Sequence, residues 1–206
     1  FTGPNKWPTQ IPNFKKHLVE YQNHCADLGR KIVPLYALAL NKPIDFFDGY
    51  FEEPIMWTRN AHYPPAVAEK NQFGISPHSD HSFLSILPFS EVPGLEVLTP
   101  QGNWLPADPV ENGIIINTGE FLNLWSNGRF IASPHRVVPP ERDRISMATF
   151  FDAAPETVAN PADFAKQGDK LKYKPISMID YVCWYIDRNY SSKAGGKQEG
   201  IEPEPA

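Results

Sequence analysis

From residue 14 onward, apolar residues recur at alternating steps of four and three: Phe14, Leu18, Tyr21, Cys25, Leu28, Ile32 and Leu35. That spacing predicts one apolar stripe along a helix of about six turns. Asn13 stands where an N-cap belongs, and Pro34 predicts a kink about one turn upstream. The stripe is too short to favour a coiled coil, so a helix laid across a sheet is expected. Between Met56 and Asp152 the texture changes. Short segments rich in Ile, Val, Leu, Phe and Trp alternate with Gly, Pro, Asn and Asp. They predict strands near 56–63, 74–78, 82–87, 94–98, 103–107, 113–117, 121–125, 130–137 and 144–151. Glu111-Asn112-Gly113 and Ser126-Asn127-Gly128 read as turns. No helical pattern separates the strands, which disfavours a parallel α/β sheet and favours a sandwich or barrel. Near the end, Ile179, Val182, Cys183 and Ile186 mark a last helix, and Ser177 to Asp180 resembles a capping box.

Length and composition narrow the picture. The chain has 206 residues, which fits one domain, taken as residues 1–190, followed by a flexible tail over 191–206. It is 41% hydrophobic and 21% charged, as in an ordinary globular protein. The net charge of −5, without a basic run, argues against a nucleic-acid partner. No apolar run approaches the ~20 residues of a membrane span. The 22 prolines fall in short clusters that read as turns. Cys25 and Cys183 form no metal or redox motif and read as two buried thiols in a reducing, cytoplasmic compartment. A monomer is expected.

The chemistry concentrates in SPHSDHSFLSILP, residues 76–88. On an extended segment, residues two apart point the same way, so His78 and Asp80 can meet one ion while His81 points elsewhere. Two ligands leave a metal underbound. Of the remaining histidines, His17 and His24 lie off the helix's apolar stripe and His62 lies on a different strand. His135, beside an apolar strand that can pair with the first, is the third candidate. Two imidazoles and one carboxylate, with open positions opposite, suit non-haem iron(II) and oxygen chemistry; zinc prefers a closed site or three nitrogens and water. Arg144 and Ser146 are again two apart on a strand. An inward Arg would be an unpaired charge unless its fork grips a carboxylate beside the metal.

Taken together, His78-Ser79-Asp80, His135-Arg136-Val137 and Arg144-Ile145-Ser146 resemble the isopenicillin-N-synthase-like branch of the iron(II)/2-oxoglutarate-dependent dioxygenases. Arg59-Asn60-Ala61-His62-Tyr63-Pro64-Pro65, Asn117-Thr118-Gly119-Glu120 with Asn127-Gly128, and Pro175-Ile176-Ser177 with Asp180-Tyr181 agree in order and spacing. The resemblance implies a distorted double-stranded β-helix, or jelly-roll, with the long N-terminal helix and the C-terminal helix packed outside. It implies His78, Asp80 and His135 as iron ligands. It places Arg144 and Ser146 on the distal carboxylate of 2-oxoglutarate, with Tyr63 adding a hydrogen bond, and Phe150 in the substrate pocket. Arg144, Ser146, Ala148 and Phe150 share a face by period, as do Trp57, Arg59, Ala61 and Tyr63. If that second face is inward, Arg59 would meet either an acidic substrate group or a structural ion partner. The implied reaction couples oxidative decarboxylation of 2-oxoglutarate by O2 to hydroxylation, desaturation or cyclisation of a small molecule. The same scaffold also admits a 2-oxoglutarate-independent iron oxidase or a non-catalytic metal-binding module. Ala61 and His62 depart from the family's Asn and Tyr. The region of about a hundred residues that family members carry ahead of this point is expected to be missing.

Overall fold

A computed structural model describes residues 3–108 and 110–190; the stretch read as a flexible tail, 191–206, lies outside them. The first element is a helix, α1, over Phe14–Ala39, which runs unbroken through Pro34. Asn13 does sit at its N-cap, but in a left-handed conformation and without a side-chain capping bond. The stripe also needs correction. Cys25, Ala26, Gly29, Val33 and Ala37 are the buried positions, whereas Leu35 is 60% exposed. A strict seven-residue repeat drifts by ~20° per heptad on a straight helix, so by the last turns the buried line has rotated off Leu35 and onto Val33 and Ala37.

Ten strands follow among the described residues: β1 (Ile55–Tyr63), β2 (Ile75–His78), β3 (Leu84–Pro88), β4 (Leu95–Leu98), β5 (Trp104–Pro106), β6 (Ile114–Thr118), β7 (His135–Val137), β8 (Arg144–Asp152), β9 (Val158–Ala159) and β10 (Ile176–Ser177). A short helix, α2 (Glu120–Trp125), interrupts them, and α3 (Met178–Tyr190) closes the order. Two four-stranded antiparallel sheets result, ordered β1-β8-β3-β6 and β2-β7-β4-β5, and β9 pairs with β10 in a separate two-stranded sheet. This is the mainly β architecture, with helices outside, that the sequence pattern implies. The strand expected over 121–125 is instead α2. Phe121, Leu122, Leu124 and Trp125 are all buried, and a short run buried all round carries no period that separates strand from helix. The strand expected over 130–137 forms only at its last three residues.

Alternation along the first sheet divides its two faces. Thr149 Oγ1 meets Thr58 Oγ1 at 3.0 Å beside Tyr21 and Gln22 of α1, and Phe151 lies against Gly29, where a Cβ would stand 2.8 Å from its ring. Glycine in mid-helix is unfavourable by ~1 kcal/mol relative to alanine, but here it lets α1 approach the sheet. Beneath α1, Phe47, Phe51, Phe83, Phe121, Trp125 and Phe151 form a continuous aromatic core, with Phe51 stacked on Phe151 at 5.3 Å. The opposite face, carrying Arg144, Ser146, Ala148 and Phe150, lines a cavity. Cys25 is buried as expected, but Cys183 is exposed, because the apolar face of α3 turns Tyr181 and Val182 inward instead. Ser177 Oγ accepts from the Asp180 amide at 3.2 Å and meets its carboxylate at 2.5 Å, so α3 opens as the capping pattern suggests.

Candidate metal centre

His78 ends β2, and the register of the second sheet sets it directly opposite His135 on β7. Asp80 lies two residues past the strand end. These three side chains form a cluster whose ligating atoms all lie within 4.8 Å of one another. Asp80 Oδ1 is 3.8 Å from His78 Nε2 and 3.6 Å from His135 Nε2. Both separations exceed a hydrogen bond, so the residues do not simply bond to each other. The distances are close to the roughly 3–4 Å that separates ligands sharing one ion at about 2.1 Å each.

The surroundings aim these atoms. His78 Nδ1 lies 2.9 Å from the Ser76 carbonyl and His135 Nδ1 lies 3.0 Å from the Ser133 carbonyl. A carbonyl only accepts, so each Nδ1 carries the proton and each Nε2 presents a lone pair to the cluster. Burial and the neighbouring His135 hold His78 below the ordinary imidazole range, in the neutral form a metal requires. Asp80 Oδ2 accepts from Ser85 Oγ at 2.6 Å and from Asn117 Nδ2 at 2.8 Å, leaving Oδ1 toward the imidazoles. Sequence reasoning did not assign Ser85 or Asn117 a role. Ser85 shares a face with Leu87 on β3, and its polarity within that apolar run was the available signal.

Backbone contacts hold Asp80 as well. The Glu120 amide of α2 donates to the Asp80 carbonyl at 2.8 Å, and the Phe121 amide donates to His81 O at 3.2 Å. At the junction, Gly119 packs so closely that a Cβ would overlap the Ser82 carbonyl. Gly119→Ala is therefore expected to destabilise the fold by about 1–3 kcal/mol through overpacking and to weaken metal binding, read by urea unfolding and by metal titration. An unchanged midpoint would show that this contact is dispensable. On the other side, Asp152 Oδ1 accepts from the Phe83 amide at 2.7 Å, and burial raises this carboxyl to about 7.

Arg144 opens β8 and is 3% exposed. Its Nε donates to the Val92 carbonyl at 3.2 Å, and its guanidinium lies over the Tyr63 ring at 5.1 Å. Its Nη1 is buried and has no partner among the described residues. The triad, Arg144, Ser146 and Tyr63 border one cavity of about 310 Å³. A buried, half-satisfied guanidinium is costly, and a carboxylate entering that cavity would satisfy it. Burial raises the Tyr63 phenol above its ordinary range, opposed by Arg144, so the hydroxyl stays a protonated donor. The donor set and the orphaned Nη1 thus fit a divalent metal with an oxoacid beside it.

The comparisons agree with this arrangement. Residues 54–153 match the family model of the 2OG-Fe(II) oxygenase superfamily. The chain belongs to that superfamily. The matched segment contains the triad, Ser85, Asn117, Arg144 and Ser146. Among relatives, the chain is 31% identical to the 2-oxoglutarate-Fe(II) type oxidoreductase hxnY of Emericella nidulans, over 98% of this chain and 60% of that protein. It is 31% identical to homoarginine-6-hydroxylase 2-ODD-233 of Oryza sativa, over 91% and 60%. The crystal structure of a full-length Neurospora crassa protein in complex with alpha-KG and thymine superposes with a TM-score of 0.84 at 25% identity, covering 91% of this chain and 61% of that one. The fold is thus the double-stranded β-helix of 2OG-Fe(II) oxygenases. The chain spans about 60% of the length of these relatives.

Other sequence candidates fall into place around this centre. His81 turns away from the triad and packs against Trp57 at 4.8 Å, Phe150 at 4.8 Å and Tyr185 at 4.6 Å; burial lowers it to about 4. His62 Nε2 pairs with Asp143 at 2.7 Å on the surface, and His17 lies exposed near Glu20. Arg59 is exposed, lines the cavity and makes no salt bridge among the described residues. No described helix is long and apolar enough to cross a membrane.

Proposed function

We infer that this chain is the oxygenase domain of an enzyme that binds Fe(II) through His78, Asp80 and His135. It would couple oxidative decarboxylation of 2-oxoglutarate by O2 to hydroxylation, desaturation or cyclisation of a small organic molecule. The observation that carries this reading is the buried Arg144 guanidinium, with Nη1 unpartnered, on the same cavity as the triad. Superfamily membership supports it. So do the relatives' names, which include a homoarginine-6-hydroxylase and a protein bound to alpha-KG and thymine. A cytoplasmic location belongs to the same reading and is supported by the free thiols of Cys25 and Cys183.

When bound, the iron supplies the redox chemistry with oxygen. The chain's residues do the rest. Ser76 O and Ser133 O fix both imidazole tautomers, and Ser85 and Asn117 hold the Asp80 carboxylate still. Arg144 and Ser146 take the distal carboxylate of 2-oxoglutarate, and Tyr63 adds a hydroxyl. That fixes the cosubstrate's direction before reaction, which removes an entropic part of the barrier. Leu87, Leu95, Ile115 and Val137 line the remaining walls and exclude bulk water from the reacting atoms.

Oxygen uptake and succinate release, measured together on the Fe(II)-loaded protein with a library of small acids, amino acids and heterocycles, test the reading. Uptake and succinate should rise in a one-to-one ratio with the right substrate. Metal-dependent uptake without succinate would favour an oxidase instead, and neither signal with any compound, despite bound metal, would favour a binding module.

A further inference from the structure

The triad stands between two cavities. His78, Asp80, Arg59 and Phe150 border both. The second, about 430 Å³, lies toward the Phe150 end of β8 and is completed by Trp57, Thr58, His81, Tyr185 and Ile186. We propose that this second cavity seats the molecule to be oxidised, and that it takes a small planar ring compound bearing a carboxylate. The proposal rests on the oxygenase reading.

Shape gives the first half of the argument. Trp57 and Phe150 are cross-strand partners of β1 and β8, so their side chains stand side by side on the inner face. Both pack on His81, and Tyr185 of α3 closes on it from another side. Ile186 completes the α3 wall. Rings on several sides favour a flat, unsaturated body over a flexible aliphatic chain. His81 is 4% exposed, and its buried Nδ1 has no hydrogen-bond partner among the described residues. Its ring backs the aromatic wall where Trp57, Phe150 and Tyr185 meet.

Charge gives the second half. Arg59 lies two residues after Trp57 on the same face of β1 and makes no ion pair among the described residues. The one acid in this wall, Asp80, is held through Oδ2 by Ser85 and Asn117 and turns Oδ1 toward the imidazoles with which it would share the metal. A guanidinium at the end of an aromatic slot, with no acid of its own, selects a ligand that brings one. With its carboxylate on Arg59, the ring lies between Trp57, Phe150 and Tyr185, against His78 and Asp80.

Calorimetry on the metal-loaded chain under anaerobic conditions, with saturating 2-oxoglutarate to occupy Arg144, tests this with three probes: 2-naphthoate, 2-naphthamide and octanoate. The wild type should bind 2-naphthoate at least about tenfold more tightly than either of the others, as expected for one charge-assisted contact. R59Q should lose the preference of acid over amide, and R59K should restore part of it. W57A should weaken 2-naphthoate and 2-naphthamide alike. Equal binding of acid and amide by the wild type, an acid preference that survives R59Q, or octanoate bound as tightly as 2-naphthoate would overturn the proposal. Binding of 2-oxoglutarate to the wild type, measured first, separates the two readings. If it binds and the acid preference is missing, only the planar-acid site falls. If it fails to bind while an R59Q-sensitive acid preference persists, the cosubstrate assignment falls and the site stands.

Discussion

Asp80→Ala should abolish iron-dependent turnover. Asp80 is the only carboxylate of the cluster, so its loss leaves two neutral imidazoles to hold a divalent ion. Fe(II) affinity is expected to fall by more than the ~10–100-fold typical of losing a group that only orients a ligand. Truncation also leaves Ser85 Oγ and Asn117 Nδ2 without their shared acceptor. Ser85 Oγ keeps Ser82 Oγ at 3.0 Å, but the Asn117 amide loses its acceptor, and an unpaired donor costs about 1–3 kcal/mol, so Asp80→Asn is the companion variant. It keeps the shape and an acceptor oxygen but removes the charge. Metal content after anaerobic loading, with urea unfolding alongside, separates loss of the ion from loss of the fold. A D80A protein that stays folded, loads iron fully and turns over would remove Asp80 from the metal centre. Ser85→Ala should give the milder loss.

Arg144→Met has the second largest expected effect, and its signature has two parts. Removing the guanidinium should weaken 2-oxoglutarate binding on the order of 100-fold or more, as for truncation of one partner of a buried charged pair. The ligand-free protein should not suffer in proportion. In that state Arg144 carries a buried Nη1 with no partner among the described residues, and burial already disfavours its charged form. An apolar side chain of similar length is often neutral or stabilising in such a position. Calorimetry for the cosubstrate and thermal unfolding of the apo chain read the two parts. Arg144→Lys should fall between, because it keeps a charge and loses both the planar fork and the Nε–H bond to Val92. Full 2-oxoglutarate affinity in R144M would sink the assignment.

The strands were legible where one face of a sheet is wet or lines a cavity. β1 and β8 are nine residues each and pair along their whole length, so Arg144, Ser146, Ala148 and Phe150 could be placed on one face from spacing alone. Alternation is a local consequence of strand geometry. Where burial is complete, that signal vanishes. Between Phe121 and Trp125 every residue but Asn123 is apolar and buried, and only its neighbours decide that it coils. Leu35 and Cys183 were misplaced for a related reason. A stripe tells which residues want burial, and the angle at which a helix meets its sheet tells which ones receive it.

Residue types and their order alone determined that two imidazoles, a carboxylate and an Arg-x-Ser pair lie on β-rich segments able to converge. The tertiary structure alone decided that His78 and His135 are register partners, and that Ser85, Asn117 and the start of α2 aim Asp80. It also decided that the centre borders two cavities of different character. Pairing register and second contacts depend on residues tens of positions apart, and no local period encodes such distances.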